Sequence, residues 1–246
     1  MADLIDGHRH FGRGVDIVDD LDHLLADMDE HGVAQTVLIP TDREIAVDNR
    51  TGNDAMLAAA AVHPDRLLPM ATVNPWFGAQ AVAELRRAVY AGAVGLKLHP
   101  ALQGFVLCHP MVHPLIAESQ TLGVPVYVHT GTPPYAQPLQ LVELARTFPK
   151  VTFVMGHAGS TDLKADAIPA ADMAANVVVE TSWSLPARLL QLVETYGARR
   201  VMFGSDAPLS SLGLELANHR AADLPAQDAA EVFGGTARRV FGGPSS

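Results

Sequence analysis

The sequence predicts a closed (β/α)₈ TIM barrel, and three observations predict it. Eight short apolar, β-branched runs alternate with stretches of helical periodicity, which marks repeated βα units around a parallel sheet. The chain is 246 residues long, close to the roughly 250 that such a barrel takes. Unusual polar residues gather at the ends of the apolar runs: His8 and His10, Lys97 and His99, His129, His157, Glu180 and Asp206. In a barrel those positions form one ring at the catalytic face.

The elements follow in order. The first strand, Leu4 to His8, precedes a helix over Val18 to His31, and the second, Gln35 to Pro40, a helix over Asp54 to His63. The third, Leu68 to Asn74, leads to Ala79 to Ala91, and the fourth, Gly95 to His99, to Met111 to Leu122. The fifth, Pro125 to His129, and the sixth, Thr152 to His157, are followed by helices over Leu139 to Phe148 and Leu163 to Ala175. The seventh, Val177 to Thr181, is followed by Pro186 to Tyr196, and Arg200 to Asp206 is the eighth strand. Each helix repeats apolar residues at three- and four-residue spacing. Strands such as Val-Thr-Phe-Val-Met before Gly156 are apolar on both faces, as a sheet covered by helices requires. Periodicity fits an open doubly wound sheet almost as well, so the polar ring carries the choice of a barrel.

Composition narrows the function. With 48% hydrophobic and 18% charged residues, the chain reads as one globular domain over residues 1–246, without linker or low-complexity tract. A net charge of -10 disfavours nucleic acid and anionic membrane surfaces. Cys108 is the only cysteine, which excludes an internal disulfide, a Cys₂ zinc site and a redox pair, and fits the cytoplasm. No signal peptide or apolar run of spanning length is present in the sequence. The expected partner is a small-molecule substrate, and a homo-oligomer is compatible with everything above.

Alternation puts His8 and His10 on one face of a strand, where two imidazoles can chelate one ion. Imidazole with carboxylate suits Zn, and also Mn, Fe or Co, and leaves a coordination position for water or substrate. Alone, each histidine reads as a hydrogen-bonded structural residue. Their joint occurrence at the ends of apolar runs points to a metal.

Asp6-Gly7-His8-Arg9-His10, Gly95-Leu96-Lys97-Leu98-His99-Pro100, His129, Gly156-His157 and Gly204-Ser205-Asp206-Ala207-Pro208 together resemble the amidohydrolase superfamily in its amidohydrolase-related branch. The resemblance runs from Leu4 to about Phe241 and includes the tail Phe233-Gly234-Gly235-Thr236-Ala237-Arg238, where that branch often has Asn in place of Thr236. It implies that His8, His10, His129 and Asp206 hold one divalent metal, expected to be Zn²⁺, and that His157 faces the activated water with Asp206 as the second catalytic group. In binuclear members a carbamylated lysine bridges two metals. The alternative for Lys97 is a strand-end cation paired to Glu180 or to a substrate carboxylate.

His99 shares the face of Lys97 and is a candidate pocket residue. Trp76, Phe77 and Trp183 follow strands and could wall a planar substrate, with loop packing as the alternative. Arg13 and Arg43, in the loops after the first two strands, could clamp a carboxylate, with solvated surface arginines as the alternative. His23, His31, His63 and His219 fall on helices, are expected to be exposed, and receive no role. The reaction expected is hydrolysis of a small cyclic ester or amide, because no paired-arginine motif offers itself to a substrate carboxylate. Decarboxylation on the same metal shell, as in aminocarboxymuconate semialdehyde decarboxylase, is the alternative. A non-catalytic binding barrel is a third reading.

Overall fold

A computed structural model describes residues 3–159 and 164–242. Strands β1 (Leu4–His10), β2 (Val33–Ile39) and β3 (Leu67–Pro69) form one parallel sheet. Strands β4 (Ala71–Thr72), β5 (Leu96–Leu98), β6 (Val126–His129), β7 (Phe153–Gly156), β8 (Val177–Glu180) and β9 (Val201–Met202) form a second.

Backbone hydrogen bonds join the two sheets at both edges. The predicted third strand is divided at Pro69–Met70, where proline offers no N–H. There Met70 N donates to Leu38 O at 2.9 Å while Ala71 N donates to Gly95 O at 2.9 Å, so the chain passes from one neighbour to the other. At the opposite edge Gly7 N donates to Phe203 O at 3.0 Å, Asp206 N to His8 O at 2.8 Å and His10 N to Ala207 O at 2.8 Å. The ring closes, and the open-sheet alternative is set aside.

Gly7 permits this closure, because a Cβ there would lie 2.8 Å from both Met202 Sδ and Phe203 O. A bulge in β1 then sets the faces. Asp6 pairs with Thr36 but Arg9 with Leu38, so three steps on β1 match two on β2, which re-phases the side chains. Ile5 packs in the barrel interior with Val37, Tyr127, Val154 and Met202, Asp6 turns to Ser205, and His8 meets Tyr127.

A larger apolar layer lies between the strands and the helices. Around the ring stand α1 (Leu21–His31), α2 (Asp42–Ala46), α3 (Asn49–Val62), α4 (Ala79–Tyr90), α5 (Pro100–Gln103), α6 (His113–Leu122), α7 (Pro138–Thr147), α8 (Ala167–Met173), α9 (Pro186–Tyr196), α10 (Leu212–Arg220), α11 (Ala226–Ala230) and α12 (Thr236–Phe241). Local chemistry sets their limits. Asp20 caps α1 by accepting from His23 N at 2.9 Å, and Gly32 ends it at φ 71°, a conformation that favours glycine.

Several boundaries differ from those expected. Val18 belongs to a short hairpin, Gly12–Arg13 with Val18–Asp19, so α1 begins at Leu21. The predicted sixth strand stops at Gly156 because His157, at φ 60°, turns the chain out of the sheet. The predicted start of the following helix at Leu163 lies outside the described residues, and its helical part is α8. Helices α2, α5, α11 and α12 fall in stretches for which the sequence predicts no helix, and α10 (Leu212–Arg220) carries His219 as expected. His219, expected to be exposed, is 1% exposed: its ring packs on Phe203 at 4.9 Å and its Nε2 lies 2.8 Å from Thr181 Oγ1.

Candidate active site

The polar ring converges at one end of the barrel. His8 Nε2 and His10 Nε2 lie 3.3 and 3.4 Å from Asp206 Oδ1. That oxygen is buried and has no hydrogen-bond partner, while Asp206 Oδ2 accepts from Trp183 Nε1 at 2.7 Å. A buried carboxylate oxygen without a donor is costly unless a cation faces it.

Both imidazoles are oriented so that Nε2 offers its lone pair. His10 Nδ1 is 2.7 Å from Pro40 O, an acceptor only, so Nδ1 carries the proton. His8 Nδ1 is 2.9 Å from the Tyr127 hydroxyl, which itself donates to Glu180 Oε2 at 2.6 Å. Burial first, and the Lys97 ammonium second, pull the His8 imidazole down to about 3, so it stays neutral. Neutral imidazoles with outer hydrogen-bond partners are what metal ligation needs.

His129 is placed differently from His8 and His10. Its Nδ1 lies 2.9 Å from His157 Nε2 and its Nε2 lies 3.1 Å from Thr132 Oγ1. Among the described residues the tight donor groups are His8, His10 and Asp206, and His8, His157 and Glu180; His129 belongs to neither. His99 stacks on it at 3.8 Å and 12°. Burial, then the neighbouring Lys97, His10 and His157, hold His99 well below the usual imidazole range.

His157 connects the two halves of the site. Its Nδ1 is 2.8 Å from Ser182 Oγ, which donates to Glu180 Oε2 at 3.1 Å, so Nδ1 donates to the serine and Nε2 accepts from His129. Glu180 therefore ends two hydrogen-bond chains, one through Tyr127 from His8 and one through Ser182 from His157. Burial alone would raise its carboxyl, yet His8, His157 and Tyr127 hold it well below the usual carboxylate range. Its oxygens are fully engaged, unlike Asp206 Oδ1, so the second donor group is an internally satisfied network. Sequence reasoning had placed Glu180 in the ring without a role of its own; its ending of the run Val-Val-Val was the available signal. The chain leaves Asp206 at φ 55° and Trp183 at φ 64°, left-handed backbone that sites retain at a cost.

Lys97 is fully buried. Its Nζ lies 3.3 Å from His8 Nε2 and 3.9 Å above the Tyr127 ring, without an ion pair to Glu180. Burial brings its amine down to about 7, against the pull of Asp206 and Glu180. A cleft of about 1130 Å³ opens beside these groups, lined by His129, His157, Asp206 and Trp183 and also by Lys164 and Arg188. Trp76 is 64% exposed and its Nε1 donates to Gly104 O at 3.1 Å. Arg43 is exposed and paired to Asp48 at 2.6 Å, and Arg13 is exposed in the hairpin after β1; neither these nor Trp76 lines the cleft.

The amidohydrolase family model matches residues 5–243, nearly the whole chain. The protein belongs to the amidohydrolase family. No curated protein matches this amidohydrolase. Among solved structures it is similar to 5-carboxyvanillate decarboxylase from Sphingomonas paucimobilis, with 19% identity over 98% of this chain and 99% of that one and a TM-score of 0.81. It is also similar to dihydroxybenzoic acid decarboxylase from Polaromonas sp. with bound manganese and 2-nitroresorcinol, with 18% identity, coverage of 100% and 98%, and a TM-score of 0.81. A protein described as a 2-pyrone-4,6-dicarboxylic acid hydrolase from Pseudomonas putida aligns at 21% identity over 100% of both chains, with a TM-score of 0.77. Such identities speak to a shared fold. Among the described residues no helix is long and apolar enough to cross a membrane.

Proposed function

We propose that this amidohydrolase is a cytoplasmic hydrolase that uses one divalent cation to open a small cyclic ester or amide. The observation that carries the reading is the buried, donorless Asp206 Oδ1 facing His8 Nε2 and His10 Nε2. These donors fit a cation, and His129 is the candidate for the remaining nitrogen. Zn²⁺ suits the donor set, and Mn²⁺ is its rival because the Polaromonas enzyme holds manganese. When bound, such an ion supplies Lewis acidity, which lowers the pKa of water and polarises a substrate carbonyl.

The chain's own residues do the rest. Asp206 accepts the proton of the attacking water, and the Trp183 indole fixes which of its oxygens is free to do so. His157 holds a proton at Nδ1 against Ser182 and shares the His129 Nδ1 proton at Nε2, so the His129–His157 pair is the route by which a proton reaches the leaving group. His157→Asn is expected to lower kcat by about 10²-fold or more with metal content unchanged; loss of metal on elemental analysis would make His157 a ligand instead. Trp183→Phe keeps the aromatic wall but removes the N–H. Metal affinity, read by competition with a chelator, is expected to drop about 10- to 100-fold, the usual weight of a ligand's outer partner, and an unchanged affinity would show that the indole does not steer Asp206.

Lys97 is assigned to the substrate side of a one-metal site, so one equivalent of ion is expected. Two equivalents, reduced to one by Lys97→Ala, would contradict that assignment. Turnover in ¹⁸O-labelled water tests the reaction class, since hydrolysis leaves label in a product carboxylate. Decarboxylation is the second reading, because Lys164 and Arg188 in the cleft supply cations of the kind whose lack is the sequence's reason to prefer hydrolysis. Stoichiometric CO₂ without labelled product would decide for it.

A further inference from the structure

The cleft beside the polar ring has an uneven charge. The chain carries a net charge of -10, yet among the described residues lining the cleft Asp206 is the only acid, and Lys164 and Arg188 are cations. The same cleft has an apolar wall that includes Ile168, Pro169, Leu185 and Ala187.

Arg188 is half-buried in the first turn of α9. Its Nη2 donates to Lys164 O and its Nη1 to Gln191 Oε1 at 2.8 Å. Both acceptors are neutral. Arg9, Arg43, Arg50, Arg66, Arg86 and Arg87, by contrast, each end on a carboxylate. A guanidinium offers five N–H donors in a planar fork, so Arg188 is held in place by two of them with the others left over. Its contacts position it without neutralising it.

We propose that Arg188, reinforced by Lys164, is an anion subsite of this cleft, and that the substrate is a small planar molecule bearing a carboxylate in addition to the group that reacts. The proposal rests on the functional reading above and narrows its substrate class. The extra carboxylate is a handle held by Arg188, the apolar wall takes the ring, and the reacting group lies by Asp206 and His157. This division serves hydrolysis and decarboxylation alike, because the handle is not the bond broken.

Isophthalate and benzoate differ by one carboxylate and serve as probes in calorimetric titration of the metal-loaded protein. Isophthalate is expected to bind about tenfold tighter than benzoate or better, the weight of a charge-assisted hydrogen-bonded pair. Arg188→Met is expected to erase that ratio and leave benzoate binding unchanged, and Arg188→Lys to restore part of it. Equal binding of the two probes by the unaltered protein, or an equal loss for both in Arg188→Met, would overturn the subsite. Thermal melts of both variants confirm that the fold is kept. A failed metal assignment shows separately, as absent metal on elemental analysis or as weakened binding of both probes with their ratio intact.

Discussion

Replacing His8 or His10 with alanine is expected to strip the cation and the activity together. Elemental analysis should show metal content falling from near one equivalent toward none, and turnover should fall by at least about 10²- to 10³-fold, the scale on which loss of preorganised charge stabilisation acts. The geometry gives the reason. Each imidazole is held by its outer nitrogen, one on Pro40 O and the other on the Tyr127 hydroxyl, so each presents a preorganised donor that the alanine methyl does not supply. Chelator treatment of the unaltered protein should reproduce the loss, and added Zn²⁺ or Mn²⁺ should reverse it. A metal-free protein that turned over at the normal rate would sink the mechanism.

The second large effect is expected at Arg9, which lies between those two histidines but on the opposite face of β1. Its side chain is fully buried, with Nε and Nη2 donating to Asp19 Oδ2 at 3.2 and 2.8 Å and Nη1 to Asp27 Oδ2 at 2.5 Å. Arg9→Met preserves volume but leaves the buried Asp19 carboxylate without its cation. Removing one member of a buried pair costs about 3–5 kcal/mol, which for a chain of this size lowers Tm by roughly 10 °C. A melt within 2–3 °C of the unaltered protein would show that His23, 2.6 Å from Asp19 Oδ1, suffices as counter-charge.

Much of this arrangement is readable from the chain alone, because strands and catalytic ring are written locally. An apolar run ending in a histidine or aspartate can be seen without knowing its neighbours. The missing parts depend on contacts across space. Tyr127 reads as one more core residue of β6, and only folding shows that its hydroxyl lies between His8 and Glu180. Arg188 stands on a helix rather than at a strand end, so the ring pattern never reached it. His219 was expected to be exposed because it lies on a helix, yet α10 turns that position onto Phe203. The division at Pro69–Met70 and the bulge after Asp6 depend on which neighbouring strand each backbone group bonds, and periodicity carries no such information. Arg43 shows the converse limit: its loop position suggested a carboxylate clamp, but Asp48 lies within its reach.

The seam between β1 and the segment after β9 has a bearing on how the protein becomes active. Asp206 N donates to His8 O across it, and Ser205 Oγ reaches Asp6 Oδ2 at 2.6 Å from 199 positions away in the chain. Docking of the last strand therefore closes the ring and assembles the donor set in a single event. A partly folded chain holds His8 and His10 but no facing carboxylate, and so has little grip on an ion. In the finished barrel, by the proposed ligation, an ion clasps the first and last strands together, and ion concentration becomes a setting of the seam's opening equilibrium.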